Sequence, residues 1–269
     1  MDQSVGLKII DRQRAVESLS RFVAESVEAA PARAAPFHHL EFERVFPDDV
    51  YAQMLDAMPV TSDYRRMSGR RKEDVRADGT PTRVKIDLFP EFIRHLPGQK
   101  RDIWRQVGLA LRSNELKRAF VERLAPALGR RFGPGYARLG QYSTPILTRD
   151  TPGYQISVHS DTHWKAITVQ LYLPTDDSIA HVGTVFHERL PNGELKRSTK
   201  MRFAPNSGYA FAVGEGTWHS VDTVGPEVQT RDSILLTYFL DAGLLRFLRN
   251  RGKRIGNLLR NELRYIARR

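Results

Sequence analysis

The run Val158-His159-Ser160-Asp161 places an imidazole and a carboxylate two residues apart. In an extended strand such residues face the same side, so His159 and Asp161 can address one ion where the strand gives way to a turn. A third donor is His219, in Gly216-Thr217-Trp218-His219-Ser220-Val221, between two apolar, strand-like segments. Two imidazoles and one carboxylate cover one face of a metal and leave the other positions open, a set that suits non-haem Fe(II) and oxygen chemistry. The chain has no cysteine, so disulfides and thiolate sites are excluded, which moves the metal toward iron or manganese and away from structural zinc. His163 stands four residues after His159, a pairing distance on a helix, but strand-like residues flank it on both sides. It is therefore read as a contact to substrate or beside the metal and not as a ligand. Lys165 is read either as facing a co-substrate or as one half of a structural salt bridge.

These residues need strands to position them, and from Tyr136 to Leu240 the sequence reads as strands separated by turns. Such a pattern predicts a barrel or jelly roll of antiparallel strands within an α+β chain. Ahead of it, Ala15, Val16, Leu19, Phe22, Val23 and Val27 recur at helical spacing, with Asp11 as the expected N-cap. A linker through Pro31 and Pro36, a strand over 37–45 and a helix from Asp48 to Met58 follow, the helix capped by Asp48 and stopped by Pro59. Two more helices are expected, one over 100–111 and one from Asn114 through Leu128. The basic stretch 62–85 that precedes them is read as a solvated loop, with a lid over substrate as the other reading. The expected division is a support region over 1–135, a catalytic core over 136–242 and a basic amphipathic helix over 243–269, all in one compact domain.

Several further motifs accompany the three donors. Gly153-Tyr154 precedes His159, the strand Ile167 to Leu173 ends in Tyr172-Leu173, Gly183-Thr184 opens another strand, and Pro205-Asn206-Ser207-Gly208 leads into Tyr209 to Val213. With Trp218-His219 and Arg231-Asp232-Ser233, this ordered set resembles the 2-oxoglutarate and Fe(II)-dependent oxygenases, especially bacterial members similar to prolyl hydroxylases. The resemblance covers about the last half of the chain, tail excluded. It implies a double-stranded β-helix (a jelly-roll, cupin-like core) with supporting N-terminal helices, and His159, Asp161 and His219 as ligands of Fe(II). It also implies O₂ and 2-oxoglutarate as co-substrates, with succinate and CO₂ released as an unactivated C–H bond is hydroxylated. Arg231 is then the expected anchor of the distal carboxylate, because its planar fork matches a carboxylate and an inward Arg needs an anionic partner. Ser233, two residues on and on the same strand face, can donate to that carboxylate. Tyr142 and Tyr172 are further candidates for the co-substrate pocket, with core packing as the alternative. A cupin-like isomerase or epimerase would keep the metal ligands without needing such an anchor, and a non-catalytic binding protein would need neither.

Charge is concentrated at the far end. The chain carries a formal +11, and residues 243–269 hold nine Lys or Arg against the single acid Glu262. Leu244, Leu248, Ile255, Leu259, Leu263 and Ile266 recur there at helical spacing, predicting a basic amphipathic helix. Its face either packs on the N-terminal helices or meets an anionic membrane surface or acidic partner. No nucleic-acid motif supports a nucleic-acid partner. No apolar run spans a bilayer and the N-terminus lacks a signal-peptide stretch, so the cytoplasm is the expected location. The primary substrate, a small molecule or a protein, is not legible in these residues.

Overall fold

The computed structural model describes residues 3–67 and 75–241. Five helices occupy the N-terminal half: α1 (Gln3–Ala29), α2 (Asp48–Asp56), α3 (Gly98–Ala110), α4 (Asn114–Arg123) and α5 (Ala125–Phe132). Twelve strands run through the chain: β1 (Ala32–Arg33), β2 (His39–Phe42), β3 (Arg65–Arg66), β4 (Arg83–Asp87), β5 (Gln141–Asp150) and β6 (Ile156–His159), then β7 (Lys165–Tyr172), β8 (Thr184–Arg189), β9 (Leu195–Lys200), β10 (Gly208–Ala212), β11 (Trp218–Val221) and β12 (Arg231–Leu240). They form two antiparallel sheets, one ordered β1-β2-β10-β7-β12-β5-β4-β3 and one ordered β6-β11-β8-β9, an arrangement of jelly-roll type. Strands from the N-terminal region thus extend both edges of the large sheet.

Strand alternation gives the large sheet two unlike faces. Ile167, Val169, Leu171, Ala210, Ile234, Leu236 and Tyr238 point outward, fully or almost fully buried in a core shared with Leu19 and Val23 of α1, Trp104 and Val107 of α3, and Phe120 of α4. The opposite face carries the register-paired sets Thr168, Thr237 and Thr144, then Gln170, Leu235 and Ile146, then Tyr172, Ser233 and Thr148, and finally Arg231 with Asp150. This inner face looks toward the small sheet across a second core that contains Phe186, Phe203, Tyr209 and Phe211. The close approach of β10 to β7 requires Gly208, since a Cβ there would stand 2.2 Å from the Gln170 carbonyl oxygen.

Several local expectations are corrected. Asp11 is not an N-cap, because α1 starts at Gln3 and nothing between them breaks the helix. Asp48 is the first residue of α2, with its carboxylate taken by Arg44 and Pro47 standing at the cap. The helix expected over 114–128 is two helices that meet at Leu124, since Pro126 lacks the N–H a continuous helix would use. The stretch 62–85 is not all loop: Arg65–Arg66 pairs with Lys85 and Val84, and Arg83–Asp87 pairs with β5. The basic segment 243–269 and its expected helix lie outside the described residues.

Candidate metal centre

The three predicted donors converge. His159 ends β6 and His219 lies on β11, directly paired across the ladder, with ring centroids 4.3 Å apart. Asp161 follows β6 in the turn to β7, and one ligand atom from each of the three residues falls within 4.8 Å of the others. Each imidazole is set by the carbonyl two residues before it: Nδ1 of His159 donates to Ser157 O at 3.0 Å, and Nδ1 of His219 donates to Thr217 O at 3.0 Å. That tautomer leaves both Nε2 lone pairs for a metal.

Asp161 is held from two sides. Lys165 Nζ donates to Oδ1 at 2.5 Å and Thr168 Oγ1 donates to Oδ2 at 2.6 Å, so the carboxylate ties the small-sheet turn to the inner face of β7. Burial alone would raise its pKa, but the charges of Lys165 and His219 and the two hydrogen bonds outweigh burial and bring it down to about 2. His219 is pushed down to about 4, chiefly by burial and against the pull of Asp161. At neutral pH the site therefore offers one anionic oxygen donor and a neutral imidazole. These donor types and their geometry fit a divalent first-row metal. Lys165 takes the salt-bridge alternative, and His163 stands outside the cluster with its ring edge against Trp164.

The other predicted residues lie deeper on the inner face, except one. Arg231 is 1% exposed; its Nη1 donates to Asp150 Oδ2 at 2.8 Å and its Nε to Val182 O at 2.7 Å, while Nη2 is buried with no partner among the described residues. Asp150 is shared with Arg83, which donates to both of its oxygens. The Arg231 guanidinium lies 5.6 Å from the Tyr172 ring centre and 5.0 Å from that of Phe203. Tyr172 donates its hydroxyl to Thr184 Oγ1, and burial raises its pKa despite Arg231, so it stays a donor. Ser233 Oγ takes a hydrogen bond from Gln170 Nε2 at 2.5 Å and lies 2.9 Å from Thr148 Oγ1. Tyr142 is apart from this group, half-buried and stacked on Phe239 at 5.5 Å near the Lys165 end of the sheet.

Sequence reasoning missed Thr168 and Tyr209. Tyr209 is buried, donates to Thr184 Oγ1 at 3.0 Å, and has its pKa raised by burial first, with Asp161 adding to the rise and Arg231 opposing it. Its hydroxyl thus feels both the Asp161 carboxylate and the Arg231 guanidinium. Neither residue belongs to a spacing motif; sheet register alone brings them in. A cavity of about 1170 Å³ lies elsewhere, between α1 and α3 and lined by Arg12, Val16, Gln53, Asp102 and Gln106. Among the described residues, that cavity holds no cluster of three metal-binding side chains, whereas the triad is one.

No protein-family model matches the chain, and no curated protein matches it. Among solved structures it is similar to a Pseudomonas putida prolyl-4-hydroxylase, at 16% identity over 82% of this chain and 98% of that one, with a TM-score of 0.44. It is also similar to a Trichoplax adhaerens prolyl hydroxylase in complex with a hypoxia inducible factor peptide fragment, at 12% identity over 84% of this chain and 91% of that one, with a TM-score of 0.47. A third is the non-heme alpha ketoglutarate dependent epimerase SnoN from nogalamycin biosynthesis, at 14% identity over 84% of this chain and 83% of that one, with a TM-score of 0.42.

Proposed function

We propose that this chain is an Fe(II)- and 2-oxoglutarate-dependent oxygenase on a double-stranded β-helix, and that it hydroxylates an unactivated C–H bond. The observation that carries the reading is the His159-Asp161-His219 cluster, whose two Nε2 atoms and one carboxylate leave the remaining metal positions to exogenous ligands. Strand orders β10-β7-β12-β5 and β6-β11-β8-β9 support the fold assignment. When bound, iron with the oxo acid supplies the oxidation of the C–H bond by O₂, with succinate and CO₂ as the co-products. Within this reading, Lys165 and Thr168 fix the carboxylate, and the Ser157 and Thr217 carbonyls fix the rings. Arg231 holds the distal carboxylate of the oxo acid through Nη2, its one guanidinium nitrogen without a partner, with Tyr172 and Ser233 beside it. A metal-dependent isomerase or epimerase that uses no oxo acid would have no use for a buried cation of this kind.

The test is anaerobic titration of the full chain with Fe(II), then addition of 2-oxoglutarate and O₂. One Fe(II) should bind, 2-oxoglutarate should raise a weak visible charge-transfer band, and succinate should form. Asp161→Ala should lose both metal and band while remaining folded. Normal Fe(II) binding by that variant would reject the triad.

A further inference from the structure

We infer that Arg131, in the last turn of α5, is the positioning residue that sets the turn carrying Asp161 against the turn that leads into His219. The inference rests on the metal reading above. Arg131 Nη1 donates to Lys165 O at 2.7 Å and to Val213 O at 2.5 Å, and Nη2 donates to His163 O. These carbonyls belong to two separate segments. His163 and Lys165 end the turn that carries Asp161, and the Lys165 side chain reaches back to the Asp161 carboxylate. Val213 ends the segment after β10, and the Gly214–Thr217 turn that follows is closed by Thr217 Oγ1 donating to Gly214 O at 2.9 Å. The Thr217 carbonyl in turn orients His219. One guanidinium thus spans the segments behind the carboxylate ligand and behind the second imidazole, 58 residues apart in sequence.

Only the planar fork of arginine can do this from one side chain, since its donors diverge in a fixed plane toward several carbonyls at once. The β-ladder already joins the two segments through Val213 N and Ala166 O at 2.9 Å. Arg131 therefore adds orientation where the backbone leaves the ladder. Groups that hydrogen-bond a metal ligand directly typically alter metal affinity by about 10- to 100-fold when lost, and Arg131, which holds the segments behind those groups, should have a smaller effect.

The experiment is Co(II) titration of the full chain, followed by visible absorption, for wild type, Arg131→Ala and Arg131→Lys, with Arg130→Ala as the control on the same helix. Co(II) affinity should fall by up to about tenfold in Arg131→Ala. Arg131→Lys should lie between that variant and wild type, because an ammonium replaces only part of the fork. The Co(II) band should shift in both Arg131 variants while far-UV circular dichroism is unchanged, and Arg130→Ala should match wild type. Unaltered affinity and band in both Arg131 variants would overturn the inference. So would affinity lost only in step with secondary structure; if Arg131→Ala does not fold, Arg131→Lys decides alone. Failure of wild type to bind Co(II) would reject the metal reading itself, a result separable from the others by the wild-type titration.

Discussion

Asp161, Thr168 and Arg231 show how a single side chain can set the chemistry of the site. Thr168→Val keeps the shape but removes the donor to Asp161 Oδ2, leaving a buried oxygen unsatisfied before metal arrives. Fe(II) affinity should fall by about tenfold or more with little change in melting temperature, measured by anaerobic titration. Arg231→Lys keeps the charge and loses the fork. On the basis of about 1.5–3 kcal/mol for a charge-assisted bond, 2-oxoglutarate affinity should drop at least about tenfold while Fe(II) still binds. Unchanged 2-oxoglutarate turnover in that variant would remove Arg231 from the pocket. His219 gives the metal-free protein a pH signature: its folded pKa of about 4 is below the unfolded value of 6.5, so the unfolded chain binds the proton more readily. Its stabilisation is complete above pH 6.5 and is lost as pH falls toward 4, amounting to about 2 kcal/mol between pH 7 and pH 5. Urea midpoints at the two pH values should show this fall in wild type and a smaller one in His219→Gln.

At the scale of elements, the strands that carry His159, His219 and Arg231 were legible because each motif is short and either keeps strand period, as in Arg231-Asp232-Ser233, or runs from a strand end into a turn, as in His159-Ser160-Asp161. Thr168, Tyr209 and Arg131 were not legible as site residues, since tertiary pairing and a helix terminus bring them in from separate segments. Two-residue strands such as β1 and β3 leave no periodic signal, and the break between α4 and α5 hides inside one continuous helical pattern. The β7–β10 contact gives an element-level prediction. Gly208→Ala must push β10 away from the Gln170 carbonyl, and Gln170 also bonds Ser233, so both the sheet and the inner face should suffer. A loss of about 1–3 kcal/mol is expected from overpacking, lowering the melting temperature by several degrees in calorimetry and weakening 2-oxoglutarate binding. An unaltered melting temperature would contradict the close approach.

For the whole molecule, the described residues contain every residue assigned to the site, whereas the strongest charge of the sequence lies beyond them. Nine of the chain's 42 Lys and Arg residues stand in 243–269 beside a single acid. No helix among the described residues is long and apolar enough to cross a membrane. Deleting residues 243–269 should leave Fe(II) binding intact, since the ligands span only 159–219. If the segment contacts an anionic surface, the shortened chain should elute from heparin at lower salt and lose binding to anionic vesicles, with its melting temperature kept. If it is a packing element, the melting temperature should fall instead. Elution and melting measured together on both chains separate these outcomes.

The two unlike faces of the large sheet also bear on how such a protein can diversify. Along β12, Ile234 and Leu236 are locked into the helical layer, while Leu235 between them is half-exposed on the opposite side. Thr144 and Ile146 of β5 join Leu235 on that side, and Leu147 joins the helical layer. Mutational load is therefore partitioned residue by residue within the same strands. A combinatorial library at 144 and 235 can vary the inner face with little effect on folding, whereas the same diversity at 147, 234 and 236 would be spent on proteins that do not fold.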